Sequence, residues 1–305
     1  MTRTQRADLH MHGSIGFQPY WLKKQRYAGK NLLQLIADEC FAKGITISAI
    51  TCQGNTEGKG SVEDRLYCLR KHEAPLLPRE YKVDSLGENV LVVEKGNSHV
   101  YIVSGQTVVP KEDGKDFDLL VVGANNVPDK LSFSDTLSYC SDNGLIQIAE
   151  HPFLETHQGM GKERLEKYIH RFDAIEGHNA QAIFRSLATH LPVVGSMLSR
   201  AGRELNEKAK ASAKEYGKPY VANSDAHCIE DLGIAYNQWG GEMDAKSEYQ
   251  FLKNLKDCIR SGQFIVHEGY EPIISWLKWV STFQRGVKEN KGISSQEKYI
   301  PSNKF

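Results

Sequence analysis

Short apolar runs alternate with amphipathic stretches along most of the chain. The runs with the length and composition of buried strands are ITISAIT (45–51), FDLLVVG (117–123), GLIQIAE (144–150), FDAIEG (172–177) and PYVANS (219–224). The segments 31–44 and 202–219 instead repeat apolar side chains at helical spacing. Strands and helices that alternate in this way predict an α/β fold with a mainly parallel sheet, open or closed into a barrel.

Towards the C-terminus the pattern changes to two helices, and Trp276 and Leu277 belong to the apolar stripe predicted for the second helix. The last part of the chain is polar and lysine-rich without periodicity, which is typical of a solvated tail. We therefore expect a barrel domain over residues 1–270, followed by a C-terminal helix and polar tail over residues 271–305.

The composition is typical of a soluble globular protein and does not indicate a surface that binds polyanions, although it leaves room for a local basic pocket. The 305 residues are 40% hydrophobic and 25% charged, and the 38 basic residues balance the 38 acidic ones. The six cysteines are scattered without a CxxC pair, which favours free thiols. The first residues have no apolar signal core, and no run is long enough to cross a membrane. These features predict a cytoplasmic protein that does not associate with membranes.

The most informative polar pattern lies in ADLHMHGS, residues 7–14. Side chains of a strand alternate between its two faces, so Asp8, His10 and His12 are predicted to share one face. Two imidazoles about 6–7 Å apart along a strand can converge on one ion. The alternative is a pair of surface histidines, and only further ligands at other strand ends decide between the two interpretations.

Such residues follow several of the other predicted strands. They are His151 in EHPF, His178 and Asn179 in EGHN, Asp225 and His227 in SDAH, and the amides Gln53, Gln106 and Asn125. Because parallel α/β folds build their sites at the carboxyl ends of several strands, we predict a metal site there. The histidines without such a placement are His72, His99, His157, His170, His190 and His267, which we expect on the surface or in the core.

The motifs DLHMHGS, AEHPF, IEGHN and ANSDAH, in this order, resemble those of the PHP (polymerase and histidinol phosphatase) superfamily. The resemblance spans about residues 7–265. It implies a distorted (β/α)7 TIM-like barrel with extra C-terminal helices. It also implies a cleft at the carboxyl ends of the strands with up to three divalent metals, where a metal-activated water hydrolyses phosphate esters.

The resemblance assigns ligand positions residue by residue. His10 and His12 match the first two metal ligands, His151 matches a later one, and Asp225 and His227 match the last two. Amides replace four other family ligands, at Gln18, Gln53, Gln106 and Asn125. Gln106 stands at the position of the glutamate that bridges two metals in the family.

An amide oxygen ligates cations weakly and brings no charge. We therefore predict about one tightly bound divalent metal (Zn, Mn or Fe), held by His10, His12 and Asp225. His151 either joins that ion or belongs to a weaker second site, and a third site that retains only His227 is expected to be empty. His151 or His227 is a candidate general base, and Asp225 completes the catalytic candidates. Replacing Gln106 by Glu is expected to raise metal occupancy.

Several residues are candidates for binding the phosphate or another part of the substrate. The glycine-rich loop 54–61 offers Lys59 and Ser61 before a predicted helix, although its glycine spacing is not that of a P-loop. The other candidates are Arg200, Arg203, His178 and Asn179. For the loop and for the two arginines, solvent-exposed residues without a ligand remain the alternative.

The favoured function is a metal-dependent hydrolase of phosphate esters, with a small-molecule phosphate ester or nucleotide as the substrate. Two alternatives stay open: a non-catalytic PHP relative that binds a nucleotide or a partner, and a mononuclear, amidohydrolase-like C–N hydrolase. The sequence contains no GxSxG, GxGxxG or HExxH motif. No basic stripe is interleaved with aromatic residues, so nucleic acid is not indicated, and the sequence does not fix the oligomeric state.

Overall fold

The structure is a computed structural model that describes residues 4–12, 31–53, 65–128, 131–185, 195–272 and 274–277. Its centre is a sheet of 11 strands that curves into a nearly closed barrel. Six of the strands run parallel to one another: β1 Thr4–Met11, β2 Ile47–Gln53, β5 Ser98–Val108, β9 Ile146–Ala149, β10 Ala174–Asn179 and β11 Tyr220–Asn223. A parallel bridge between Met11 and Ala226 brings the first and last of them together. The predicted TIM-like barrel is therefore confirmed.

The other strands run antiparallel to their neighbours. They are the hairpin β3 Tyr81–Ser85 and β4 Val90–Lys95, the small pair β6 Lys111–Glu112 and β7 Lys115–Asp116, and β8 Leu119–Val122, β12 Tyr236–Gly240 and β13 Ile265–His267. β8 lies between β5 and β9 and opposes both. The amino end of β8 therefore lies at the same face of the barrel as the carboxyl ends of the parallel strands.

Helices cover the outside of the barrel. They are α1 Leu32–Lys43, α2 Arg65–Cys68, α3 Phe133–Asp142, α4 Gly161–Tyr168, α5 Ala182–Arg185, α6 Gly195–Glu215 and α7 Glu248–Ser261. Single turns of other helix types are Leu69–Glu73, Ala74–Leu76, Glu155–His157, Ile169–Arg171 and Ile229–Asp231. The predicted α1 ends where expected, because Gly44 adopts a left-handed φ of 67° and caps the last turn.

Three large apolar clusters hold these layers together. α1 packs on β1 and β2, and α3, α4 and α6 pack on the outer side of β8, β9 and β10. A third cluster joins Leu9, Ala49 and Leu120 of the strands with Phe251 and Leu255 of α7. The polar residues of the carboxyl-end face are thus supported by a rigid apolar frame.

A bulge in β1 changes one predicted face. The pairing of β1 with β2 shifts register between Asp8 and Met11. The Asp8 carboxylate accepts hydrogen bonds from Ser224 and Gly233, whereas the His10 ring faces Glu176. The prediction that Asp8 shares its surroundings with the histidines is therefore wrong, because the bulge breaks the strict alternation of the strand.

The C-terminal segment is anchored by polar residues. Glu271 and Ser275 are buried, and the Glu271 N–H donates to the Ala180 carbonyl at 3.1 Å. Leu277 is 54% exposed, so its predicted place in a buried stripe is wrong. A domain division at residue 270 remains a prediction.

Two further expectations concern the described residues only. Cys40, Cys140, Cys228 and Cys258 are free thiols there, as predicted. Within the same part of the chain, every helix is too short or too polar to cross a membrane.

Candidate metal centre

The two histidines at the end of β1, His10 in the strand and His12 directly after it, converge as their spacing predicts. The Nε2 atoms of His10 and His12 lie 2.9 Å apart. His10 is completely buried, whereas the His12 side chain is 16% exposed and reaches the cleft. At the end of β1, the His10 ring therefore lies at the buried floor of the cleft and the His12 ring at its open mouth.

The turn after β11 brings in the second predicted pair. Asp225 Oδ1 lies 3.2 Å from His12 Nε2 and 3.4 Å from His10 Nε2. The rings of His12 and His227 have centroids 4.6 Å apart. Asp225 has a positive φ of 49°, which non-glycine residues rarely adopt. The turn thus directs Asp225 and His227 to the end of β1.

The turn after β9 contributes two neighbours, Glu150 and His151. Glu150 Oε1 lies 3.2 Å from His10 Nε2 and 3.3 Å from His151 Nε2. Asp118, directly before the antiparallel strand β8, has its Oδ2 atom 3.8 Å from His151 Nε2. His151 also has a positive φ, of 22°. A carboxylate therefore stands between the β1 histidines and His151.

Among the described residues, three overlapping sets of ligand atoms lie within 4.8 Å of one another: His10, His12 and Glu150; His12, Asp225 and His227; and Asp118, Glu150 and His151. His12 belongs to two of the sets, and so does Glu150. The sets therefore form one continuous cluster, in which a carboxylate is shared between neighbouring positions.

Buried charge dominates the electrostatics of this cluster. Burial by itself lowers the pKa of His10, but the carboxylates of Asp225, Glu176 and Glu150 raise this pKa well above its ordinary value. Burial raises the pKa of Glu150, but His10 and His151 more than offset it and hold that pKa below its usual range. Carboxylates gathered away from water require a compensating positive charge, which protons or a cation can supply.

The unsatisfied atoms indicate where a cation would fit. Glu150 Oε2 and both ring nitrogens of His151 are buried and make no hydrogen bond within the described part of the chain. Unpaired buried atoms of this kind are costly unless they bind something. Imidazole nitrogens and carboxylate oxygens are ligands for Zn²⁺, Mn²⁺ and Fe²⁺. The donor set therefore fits a divalent transition metal.

Comparisons with known proteins agree with this architecture. Residues 203–257 match the family model for PHP-associated sequences. The structure of PsfC from Pseudomonas syringae PB-5123 is similar with a TM-score of 0.54 and 12% identity, over 94% of this chain and 99% of that one. A two-domain protein containing a predicted PHP-like metal-dependent phosphoesterase, from Bacteroides vulgatus ATCC 8482, has a TM-score of 0.53 and 11% identity, over 88% of this chain and 66% of its own. The chain therefore shares its fold with a PHP-like protein, and its residues 203–257 resemble PHP-associated sequences.

One further structure is similar in fold, and the curated proteins contain no match. The lesion-specific endonuclease PfuEndoQ from Pyrococcus furiosus is similar with a TM-score of 0.47 and 14% identity, over 87% of this chain and 58% of that one. No curated protein matches the sequence.

One of the four amides that the resemblance aligns with ligand positions, Gln106, bonds the backbone of Val127. Gln106 Oε1 accepts a hydrogen bond from the Val127 N–H at 3.0 Å, and Nε2 donates to the Val127 carbonyl. The next residue, Thr107, points to the cluster instead, and its hydroxyl donates to Glu150 Oε1 at 3.1 Å. Asn125 follows β8, whose end pairs with Ile146 at the start of β9. Gln18 and the side chain of Gln53 lie outside the described residues.

Three carboxylates of the candidate cleft were not predicted from the sequence: Asp118, Glu150 and Glu176. Glu150 stands directly before His151 in AEHPF, and this adjacency was a usable signal. Asp118 precedes a strand instead of following one, and only the antiparallel direction of β8 brings it to the cleft. Glu176 lies inside its strand and contacts His10 Nδ1 at 2.8 Å.

The candidates for substrate binding are only partly described. Lys59, Ser61 and the side chain of Arg200 lie outside the described residues. The Arg203 guanidinium stacks on Tyr270, with Cζ 4.3 Å from the ring centroid. His178 is fully buried, and its Nε2 donates to the Gly269 carbonyl at 2.7 Å. Asn179 is buried too and donates to Asp225 Oδ2 at 3.0 Å, so it supports a ligand candidate and does not face solvent.

Proposed function

We propose that this protein is a metal-dependent hydrolase whose substrates are small-molecule phosphate esters or nucleotides. The observation that carries the proposal is the cluster itself, in which the β1 histidines meet Glu150 and Asp225. When bound, a divalent ion in such a cluster supplies polarisation of water and of a phosphoryl oxygen. The other tasks fall to residues of the chain.

His10, His12, Glu150 and Asp225 are the proposed ligands of one tightly held ion. His10 Nε2 lies 3.2 Å from Glu150 Oε1 and 3.4 Å from Asp225 Oδ1, so the His10 ring stands beside both acids. This set keeps the predicted HxH and Asp225 ligands and adds Glu150. It supplies two negative charges to balance a dication.

Asp118, Glu150 and His151 are the proposed ligands of a second, weaker ion. Glu150 takes part in both sets, so its negative charge would partly neutralise ions held at either position. This is the role that the family gives to the position of Gln106. A carboxylate one residue before His151 thus takes over what the amide on β5 does not provide.

His227 is the proposed proton acceptor. Its Nδ1 lies 2.8 Å from the Asp225 carbonyl, which only accepts hydrogen bonds, so Nδ1 carries the proton and Nε2 is the basic nitrogen of the neutral ring. The side chain is 14% exposed and stands beside His12 at the mouth of the cleft. His151 is buried and is better placed as a ligand than as a base.

The reaction is tested with protein loaded with Mn²⁺ or Zn²⁺ and a panel of phosphomonoesters, phosphodiesters, short oligonucleotides and cyclic amides. We expect turnover of phosphate esters that stops when the metal is chelated. Turnover of cyclic amides alone would favour the C–N hydrolase, and nucleotide binding without turnover would favour the non-catalytic relative.

The second ion is tested separately with Asp118→Asn. The substitution keeps the shape of the side chain and removes its charge. It is expected to weaken the second binding event in a metal titration and to leave the first unchanged. Equal loss of both events would contradict the division of the cluster into two positions.

A further inference from the structure

Glu176 occupies a central position beneath the cluster but belongs to none of its ligand sets. It lies in β10 and is 1% exposed. Oε1 accepts hydrogen bonds from His10 Nδ1 at 2.8 Å and from Asn223 Nδ2 at 2.9 Å. Oε2 accepts from the His151 backbone N–H at 2.9 Å and from Asn179 Nδ2 at 3.0 Å. Each oxygen thus accepts two hydrogen bonds, which fills the acceptor capacity of the carboxylate.

The bond to His10 selects which nitrogen faces the cleft. A carboxylate that accepts from Nδ1–H holds the proton on that nitrogen and leaves the Nε2 lone pair free. Nε2 is the atom that faces Glu150 and Asp225, at 3.2 and 3.4 Å. Glu176 therefore fixes both the rotation of the ring and the atom offered for ligation.

The second bond acts on the backbone of another ligand candidate. His151 holds a φ of 22°, which a side-chain-bearing residue rarely adopts unless its surroundings impose it. The Glu176 carboxylate binds the N–H of this same residue. This hydrogen bond therefore ties β10 to the turn that places His151 and Glu150 beside His10 and His12, and it does so at the residue with the unfavourable φ.

The third link runs through Asn179. Its amide donates to Glu176 Oε2 and to Asp225 Oδ2, each at 3.0 Å. Asp225 also has a positive φ, of 49°. Because Oδ2 is engaged by the amide, Oδ1 is the oxygen turned towards His10 and His12. One buried carboxylate thus connects three ligand candidates on three different strand ends.

We propose that Glu176 is the positioning residue of the metal centre, setting the geometry of His10, His151 and Asp225 without touching metal or substrate. The inference rests on the proposed function, since it assumes that the cluster binds metal. Partners that orient a metal-ligating histidine typically contribute about 10- to 100-fold to metal affinity. Glu176→Gln keeps the volume of the side chain. It replaces one carboxylate oxygen, which accepts hydrogen bonds, by an amide N–H₂, which can only donate and so opposes the donors that surround it.

Zn²⁺ affinity is the first measurement, by competition with a chromophoric chelator. We expect Glu176→Gln to bind Zn²⁺ about 10- to 100-fold more weakly than wild type. Glu73→Gln is the matched control, because Glu73 is an equally buried carboxylate that accepts the Leu32 N–H at 3.0 Å, beside α1. The control is expected to keep wild-type affinity. An equal loss in both variants would overturn the proposal, since it would show a general effect of buried charge.

The His10 ring gives a readout that a purely structural role would not move. In the zinc-loaded wild type with ¹⁵N-labelled histidine, the His10 Nδ1 proton is expected to give a downfield, slowly exchanging signal, assigned by its absence in His10→Ala. This signal should move upfield in Glu176→Gln and stay in place in Glu73→Gln. An unchanged signal and affinity in Glu176→Gln overturn the inference alone.

Two further outcomes keep the test decisive. Wild-type protein that binds no Zn²⁺ overturns the proposed function together with this inference. If Glu176→Gln does not fold, Asn179→Ala breaks the link between Glu176 and Asp225, along with the bond from the Gln181 N–H, and leaves the bonds of Glu176 to His10 and His151 in place. It is expected to weaken Zn²⁺ binding several-fold. Wild-type affinity in Asn179→Ala would then overturn the network.

Discussion

Glu150 Oε1 lies 3.2 Å from His10 Nε2, although the two residues are far apart in the sequence. β1 carries the histidine to one strand end, and the turn after β9 carries the carboxylate to another. Both side chains are buried, so water does not screen the charge of either group. This pair defines the centre of the proposed metal cleft.

Glu150→Gln is expected to weaken the first metal ion and to abolish binding of the second. The substitution removes the one negative charge that both proposed positions share. Calorimetric titration with Zn²⁺ or Mn²⁺ measures both events. Glu155→Gln is the matched control, because Glu155 is exposed in the same loop and should change neither. Two intact binding events in Glu150→Gln would contradict the shared carboxylate.

His12→Ala is expected to abolish metal binding and any hydrolysis, because His12 belongs to two of the three ligand sets. His99→Ala and His170→Ala serve as controls. His99 packs against Tyr101 with ring centroids 5.2 Å apart, and His170 is exposed on a short turn. Metal content after dialysis and phosphatase activity are the readouts. Equal losses in all three variants would place the site elsewhere.

Gln106→Glu is expected to destabilise the fold and to add no metal, which reverses the expectation from sequence. The amide is buried and bonds both the N–H and the carbonyl of Val127. A carboxylate cannot donate to that carbonyl, so the variant should lose about 1–3 kcal/mol of unfolding free energy in urea denaturation. The exposed Gln263→Glu is the control and should cost nothing. An additional tightly bound ion in Gln106→Glu would restore the family alignment.

Asp231→Asn is expected to stabilise the fold more at pH 8 than at pH 5. Burial raises the pKa of Asp231, so the folded protein keeps this proton at pH values where the unfolded chain has lost it. Stability from this group is therefore full at acid pH and falls as the pH rises through the folded-state pKa. The asparagine is neutral throughout and avoids this loss. Chemical denaturation at both pH values measures the effect.

The control for that measurement is Asp142→Asn, which changes an exposed carboxylate at the end of α3. It should shift stability equally little at pH 5 and pH 8. A gain in Asp231→Asn that does not depend on pH would show that the asparagine acts through packing and not through charge.

The sequence predicted the barrel and the meeting of His10 with His12 because both depend on local patterns. Alternation of apolar strands with helices is enough for a parallel sheet, and HxH at a strand end is enough to aim two rings at one place. The same applies to Asp225 and His227, which stand at the end of another parallel strand.

Strand direction was the information that local patterns do not contain. FDLLVVG is equally compatible with a parallel and an antiparallel strand, and only its pairing with β5 and β9 shows that it is antiparallel. This direction brings Asp118 to the cleft. The bulge in β1 is a second tertiary effect, since it separates Asp8 from His10 without any sign in the sequence.

The metal content of the purified protein tests the central claim most directly. Protein produced with Zn²⁺ or Mn²⁺ in the growth medium is dialysed without chelator and its metal content is measured by elemental analysis. The cluster of His10, His12, Glu150 and Asp225 predicts about one divalent ion per chain. No retained ion, or three ions held equally tightly, would contradict the account.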